Sequence, residues 1–427
     1  MFKPLIADVL LSERVHRAQR AFARLKRRFD EAPPTVELFY RAGDPHSHLL
    51  LMVCADLVDG YGIDITLHII RRATEPPDQH QRQLLQWALV DAQKFASAMQ
   101  LPMATVPPVR LADGLEAAMT RSWRLHKDLT RCQALSDAYW QSDTDTLAPA
   151  LARIKPNDLS HAEIMTRKAG ERLQEIGHYD AGVLFFGDEC YRGVERLRHL
   201  TTRLRAERLT DGSPAARQAL SEKLDAVESH PVKLRLSPND QDAAPEWFFS
   251  FRSPYSWLAL QRTLDVCQQA KRKPMLRPVM PMIERGVPLS PEKRRYLIQD
   301  AAREARRYGV PFGRIADPLG RGVTNASAGF MYAKTQGVEI PFTRAAMRAI
   351  WSQGIDLAKP AGLKRVLASV GLSYAAAARF IGAPEVDAEL ERNAKALADL
   401  ALWGVPVLSV DGLALWGQDR LWQCTLA

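Results

Sequence analysis

The sequence predicts an α/β protein in which one architecture is built twice along the chain, and two observations carry that expectation. The first is a strand that runs into an N-cap, a proline and a helix at two places. Val36-Glu37-Leu38-Phe39-Tyr40 precedes Asp44-Pro45-His46-Ser47, and Trp247-Phe248-Phe249-Ser250-Phe251 precedes Ser253-Pro254-Tyr255-Ser256. The second is that later landmarks recur at a nearly constant offset, the mark of an internal repeat. Pro45 and Pro254 are 209 positions apart, as are Asp91 and Asp300, and each aspartate is followed eleven residues later by a proline, Pro102 or Pro311. Trp140 and Trp351 are 211 apart, and Gly193-Val194-Glu195-Arg196-Leu197 lies 224 before Gly417-Gln418-Asp419-Arg420-Leu421. The second copy has therefore gained 13 residues between tryptophan and glycine, growth that suits a surface insertion.

Composition fits a multidomain globular chain. At 427 residues it exceeds one ordinary core, and 46% hydrophobic with 25% charged residues is an average balance. No apolar run approaches the roughly 18 residues that span a bilayer. Asp8 and Glu13 interrupt the apolar residues near the start, so no secretory signal core is expected and the protein is placed in the cytoplasm. The five cysteines, Cys54, Cys132, Cys190, Cys267 and Cys424, are scattered and odd in number, and read as reduced thiols. A net charge of +9 and a pI near 9.3 favour anionic ligands, but no nucleic-acid motif accompanies the charge.

In chain order, residues 1–32 read as an amphipathic helical arm with Val9, Ala18, Phe22 and Leu25 on its apolar, packing side and arginines opposite. Residues 33–205 form the first domain. Residues 206–243 are a helix (215–227) followed by a Pro-, Asp- and Ser-rich linker, and 244–427 form the second domain. Each copy runs strand, helix, strand, with second strands at 64–70 and 275–279, then a long helical section and a closing strand pair and helix. Asp411-Gly412 between two apolar runs signals the closing hairpin of the second copy. The order β-α-β, helices, β-β-α is that of a thioredoxin-like domain with a helical insertion.

Residues 248–260, Lys293-Arg294-Arg295-Tyr296 through Asp300, and Trp403-Gly404-Val405-Pro406 through Leu421 resemble 2-hydroxychromene-2-carboxylate isomerases and kappa-class glutathione transferases, of the DsbA-like branch of the thioredoxin fold. The resemblance covers the second copy; the first follows by the repeat. It implies tandem DsbA-like domains, glutathione as cofactor, and Ser253, in place of a redox cysteine, holding the glutathione sulfur. The hydroxyl and a helix N-terminus together would stabilise a thiolate. By the same resemblance Val405, before a cis Pro406, pairs its backbone with the peptide-like ligand. Gly417-Gln418-Asp419 opens the last helix and receives the glutamyl end, Asp419 taking the ammonium and backbone N–H groups the carboxylate.

The pattern also departs from the family. Val287 follows Gly286 where an asparagine is usual, and one polar contact is missing with it. The first copy has Asp44 at the serine position and Gly182 at the proline position, so it reads as degenerate, with Asp44 a simple N-cap; Ser47 and Glu195 are left open for another ligand. His46 and His48, two apart, would not face one way on a helix. No nucleotide, hydrolase or metal motif is present, and without paired cysteines in either motif helix dithiol exchange by that route is excluded. The leading expectation is a glutathione-dependent isomerase or transferase of an aromatic or conjugated small molecule, with a catalytically silent thioredoxin-fold binding protein as the alternative and a thiol-disulfide oxidoreductase behind both. Single-domain relatives pair as homodimers, so two fused copies predict a monomer with an internal pseudo-dimer.

Overall fold

The computed structural model describes residues 11–29, 31, 33–71, 79–103, 114–228, 244–286, 289–410 and 412–425, without the side chains of 79–81. Val9, Val287, Asp411 and the linker residues 231–243 lie outside them. The chain divides into two compact units, Ala18–His230 and Met1–Arg17 with Pro231–Ala427.

The Ala18–His230 unit is mostly helical around a four-stranded sheet. Its elements are the end of α1 (Glu13–Phe29), β1 (Thr35–Arg41), α2 (Pro45–Tyr61), β2 (Asp64–Ile70), α3 (Gln79–Ala98), α4 (Leu115–His126), α5 (Leu129–Gln141), α6 (Thr144–Ala152), α7 (Pro156–Glu175), β3 (Val183–Phe186), β4 (Glu189–Arg192), α8 (Leu197–Ala206) and α9 (Pro214–Glu228). The strand order is β2-β1-β3-β4, with β1 parallel to β2 and antiparallel to β3. Val36, Leu38, Phe39 and Tyr40 of β1 are buried, as a central strand covered on both faces requires.

The C-terminal unit contains β5 (Glu246–Phe249), α10 (Pro254–Gln269), β6 (Met275–Pro278), α11 (Pro291–Tyr308), α12 (Arg321–Thr335), α13 (Glu339–Arg348), α14 (Pro360–Ala368), the one-turn α15 (Tyr374–Ala377), α16 (Pro384–Asp399), β7 (Val407–Val410) and β8 (Leu413–Trp416). Its strand order is β6-β5-β7-β8, with β5 parallel to β6 and antiparallel to β7. The pairing Phe248↔Val407 has the same place in this sheet that Phe39↔Val183 has in the other. Trp247, Phe249, Phe251, Phe330 and Phe342 form the aromatic centre of the core, with Trp247 stacked on Phe249 at 4.7 Å between ring centroids. Trp351 sits in a π-helical turn, Ala349–Gln353, and its Nε1 donates to Phe251 O at 3.1 Å, tying the helical section to the loop after β5.

Two local expectations change. The chain after β8 enters a five-residue 3-10 helix, Leu421–Thr425, where an α-helix opening at Gly417 was expected. In α1 the apolar side does not pack: Phe22 and Leu25 are exposed, whereas Arg20 pairs with Glu189 at 2.7 Å and Arg27 with Glu207 at 2.7 Å. Ion pairs, and Ala23 near Gly187, select the packed face.

The parallel pair β1/β2 is braced by Glu37. Its carboxylate accepts from Arg172 Nη2 at 2.7 Å and Nε at 3.0 Å, and lies 2.8 Å from His68 Nε2. Burial alone would raise the Glu37 pKa, but the hydrogen bonds from His68 and Arg172 outweigh it and hold the carboxyl at about 2. Because the folded value is depressed, this contribution is complete above pH ~4.5 and is lost as pH falls from there toward 2. Arg172 remains partly exposed, which discounts the ion pair. Glu37→Gln is expected to lower stability by about 1–2 kcal/mol at neutral pH in urea unfolding and to weaken its loss below pH ~4.5. A variant as stable as the parent would show that the bracing is neutral.

Candidate functional site

Strand β5 ends at Phe249, and the chain turns through Ser250-Phe251-Arg252 into α10. Ser253 caps that helix with extended backbone (φ −97°, ψ 114°), and Pro254 occupies the first helical position, where a missing N–H costs nothing. Ser256 N donates to Ser253 Oγ at 3.1 Å. The same Oγ donates to Val405 O at 3.3 Å, which is long for an O–H···O bond. Val405-Pro406 is a cis peptide, Pro406 O accepts from Gly417 N at 3.0 Å, and among the described residues Val405 N–H makes no hydrogen bond. The structure thus brings Ser253, Val405 and Pro406 together at the N-terminus of α10.

Asp300, Arg285 and Gly404 hold this arrangement. Tyr255 OH donates to Asp300 Oδ2 at 2.7 Å, and Arg303 Nη2 donates to Asp300 Oδ1 at 2.7 Å; Asp300 itself is buried. The Arg285 guanidinium donates to Trp403 O and, at 2.9 Å, to Met280 O, pinning the loop before Pro406. Gly404 lies under the Trp416 ring, where an added Cβ would stand 2.4 Å from a ring carbon. The sequence singled out Asp300 as a repeat landmark and as the end of the Lys293–Asp300 motif but gave it no role, and it gave none to Arg285 or Tyr255; the recurrence of Asp91 and Asp300 was the available signal.

Gln418 and Asp419 are placed differently. The Gln418 side chain is buried, with Nε2 donating to Glu304 Oε2 at 2.6 Å and Oε1 accepting from Arg262 Nη1 at 3.0 Å; the same Nη1 also donates to the Gln418 backbone carbonyl at 2.9 Å, so the backbone N–H is the part left for a ligand. Asp419 Oδ1 pairs with Arg420 Nη1 at 2.7 Å. With a 3-10 turn following, these residues do not head an α-helix. Burial pushes the Cys54, Cys132 and Cys267 thiols up to about 12, which leaves them protonated. Among the described residues no cluster of His, Cys, Asp and Glu is arranged to hold a metal ion.

The start of α2, after β1 in the Ala18–His230 unit, carries other chemistry. Asp44 Oδ2 accepts from Ser47 N at 2.8 Å and from Ser47 Oγ at 2.6 Å. Gly182, at φ +69°, occupies the position of Pro406: it immediately precedes the paired residue Val183, its carbonyl accepts from Gly193 N at 2.9 Å, and its open side faces Asp44. Where the second unit has Ser250, Gly404 and Trp416, this one has the ionic triad Arg41–Asp180–Arg192, at 2.8 and 3.0 Å. His46 reaches Asp91 at 3.5 Å, the place taken by Tyr255 and Asp300 in the other unit. His48 points elsewhere, 2.8 Å from Ser136 Oγ, which is also 2.8 Å from Tyr40 OH. The two histidines serve different partners, as their spacing predicts.

Residues 246–426 match the DSBA-like thioredoxin domain family. A 2-hydroxychromene-2-carboxylate isomerase of Sphingobium xenophagum is 27% identical over 188 residues, 41% of this chain and 93% of that protein. One from Pseudomonas putida is 25% identical over 190 residues, 41% of this chain and 89% of that protein. A solved 2-hydroxychromene-2-carboxylate isomerase structure aligns at 22% identity with a TM-score of 0.37, over 43% of this chain and 93% of its own. The C-terminal two-fifths is therefore a DsbA-like thioredoxin domain with isomerase homologues.

Burial pushes the His48 imidazole down to about 4. Between the unfolded value of about 6.5 and this one, the unfolded chain takes up a proton that the native state refuses, so stability falls as pH drops through that window, by at most about 3 kcal/mol. His48→Gln should flatten this part of a stability–pH curve measured by urea unfolding; an unchanged slope would assign the titration to another group.

Proposed function

We propose that the chain is a glutathione-dependent enzyme that isomerises an aromatic or conjugated small molecule, or transfers glutathione to one, at the N-terminus of α10. The observation that carries this reading is the Ser253 hydroxyl, capped into place by Ser256 N and donating to Val405 O over a long 3.3 Å. A donor so weakly engaged is available to a thiolate, and the helix terminus adds partial positive charge. A hydroxyl at this point steadies sulfur without forming a disulfide with it. The Val405 N–H, which makes no hydrogen bond among the described residues, would pair with the glutathione backbone, and Asp419, shared with Arg420, with its ammonium; backbone N–H groups of the Gly417-Gln418-Asp419 stretch would take its carboxylate.

Such a thiolate makes isomerisation possible. Rotation about a conjugated C=C is slow; addition of sulfur to one carbon, with a proton or delocalised charge taken at the conjugated end, leaves a single bond that rotates. Elimination of the sulfur then restores the double bond and returns glutathione unchanged. If the adduct is kept, the same first step is glutathione transfer. The 27% and 25% identical isomerases support the first outcome.

The same reading treats the two units as a tandem duplication, supported by equal strand orders and by Gly182 and Pro406 in equal places, with the first copy having lost this chemistry. It makes the protein a cytoplasmic monomer whose two halves replace the pair of a homodimer. One observation favours the alternative of a non-catalytic binding protein: Gln418 and Asp419 already have protein partners in Glu304 and Arg420.

Calorimetric titration with reduced glutathione separates the two. Saturable one-site binding is expected, abolished or weakened by Ser253→Ala together with a roughly 10- to 1,000-fold fall in turnover, while Ser47→Ala changes neither. Absence of binding favours the binding protein, and equal effects of the two substitutions would remove the site from the second unit.

A further inference from the structure

Helix α1 presents two unlike faces. The packed one is made by Arg20, Ala23 and Arg27, which meet Glu189, Gly187 and Glu207. Nearly opposite lie Phe22, Leu25 and Phe29, which are 70%, 65% and 88% exposed. Their i, i+3, i+7 spacing puts them in one stripe. Arg14 and Arg28 border the stripe on one side and Lys26 on the other; with Arg24 beyond them, these four are exposed and have no ion-pair partner among the described residues. The helix as a whole carries seven arginines and lysines against the single acid Glu13.

This combination selects among partners. A second copy of the helix would bring like charges together, which opposes association through this face. A nucleic acid would satisfy the cations and leave the stripe in water. An anionic bilayer surface satisfies both, because the boundary of its hydrocarbon takes the aromatic and aliphatic side chains while headgroups meet the cations on either side. We propose that α1 docks the protein, as a peripheral protein, on anionic lipid surfaces, lying in the interfacial plane with Phe22, Leu25 and Phe29 inserted. The packed face, being opposite, stays engaged with the protein while the outer face meets lipid. At 17 residues with seven basic side chains the helix lies on a membrane and does not cross it.

The test is co-sedimentation of the full chain with vesicles of phosphatidylcholine alone and of phosphatidylcholine with one part in three phosphatidylglycerol. Binding is expected to the anionic vesicles only and to weaken as salt is raised. Phe22→Ser/Leu25→Ser/Phe29→Ser and, separately, Arg24→Glu/Arg28→Glu should each lower the partition at least about tenfold, with thermal unfolding unchanged because the altered side chains are exposed. In a Phe22→Trp variant the emission that remains after subtracting the parent's, which comes from nine native tryptophans, should shift to the blue on adding anionic vesicles. A chain that stays in the supernatant, a triple-serine variant that partitions as well as the parent, or a tryptophan whose emission does not shift would each overturn the proposal.

Discussion

One hydroxyl at the start of α10 accepts from the helix backbone and donates to the loop that ends in Pro406, and both contacts constrain what surrounds them. The cap contributes about 1 kcal/mol to the helix, which is modest, but it fixes where Oγ points. The turn that carries it is held by Tyr255 on the buried carboxylate of Asp300, and the facing loop by Arg285 on Trp403 O and by the close approach of Gly404 to Trp416. The braces at Asp300 and Gly404 would be expensive to disturb, because one involves a buried charge and the other a position with room only for glycine. The long donation to Val405 O is the weak bond in this set, and it is the one a ligand would replace.

The Ala18–His230 unit has the same strand order as the C-terminal unit and different side chains at the corresponding place. Strand order, the residue preceding the antiparallel strand and the carbonyl at Gly182 correspond to their counterparts, yet Asp44 uses the carboxylate oxygen facing the turn on Ser47 N and Ser47 Oγ. A carboxylate there would repel a thiolate, and the Arg192 guanidinium, paired with Asp180, stands where the other unit has the Trp416 ring. The Asp180 carboxyl, which burial would push up, is held at about 2 by Arg192 and Arg41, so the triad is charged at any ordinary pH. The fold decides where a site can lie, and the side chains at that place decide what it does.

Much of this was legible because it is local. An N-cap followed by proline after an apolar run specifies strand, turn and helix within a dozen residues, and the structure has that order both at β1 and α2 and at β5 and α10. What escaped was tertiary. Asp300 was visible as a recurring landmark, but its partner is Tyr255 while that of Asp91 is His46, a choice only the packed structure displays. The inward turn of Gln418 depends on Glu304, more than a hundred residues earlier. For α1 the pattern identified the apolar side correctly and the packed side wrongly, because periodicity records polarity and the ion pairs to Glu189 and Glu207 decided the docking.

The account turns on whether Ser253 holds a thiolate, and the most direct measurement is the ionisation of the glutathione thiol in its complex with the protein, followed by thiolate absorbance as pH is varied. The account predicts a pKa about one to two units below the ordinary thiol value of about 8.5, rising toward it in Ser253→Ala, where the helix terminus remains but the donor is gone. A bound thiol that titrates as it does in free solution, or one whose depressed pKa survives Ser253→Ala unchanged, would contradict it.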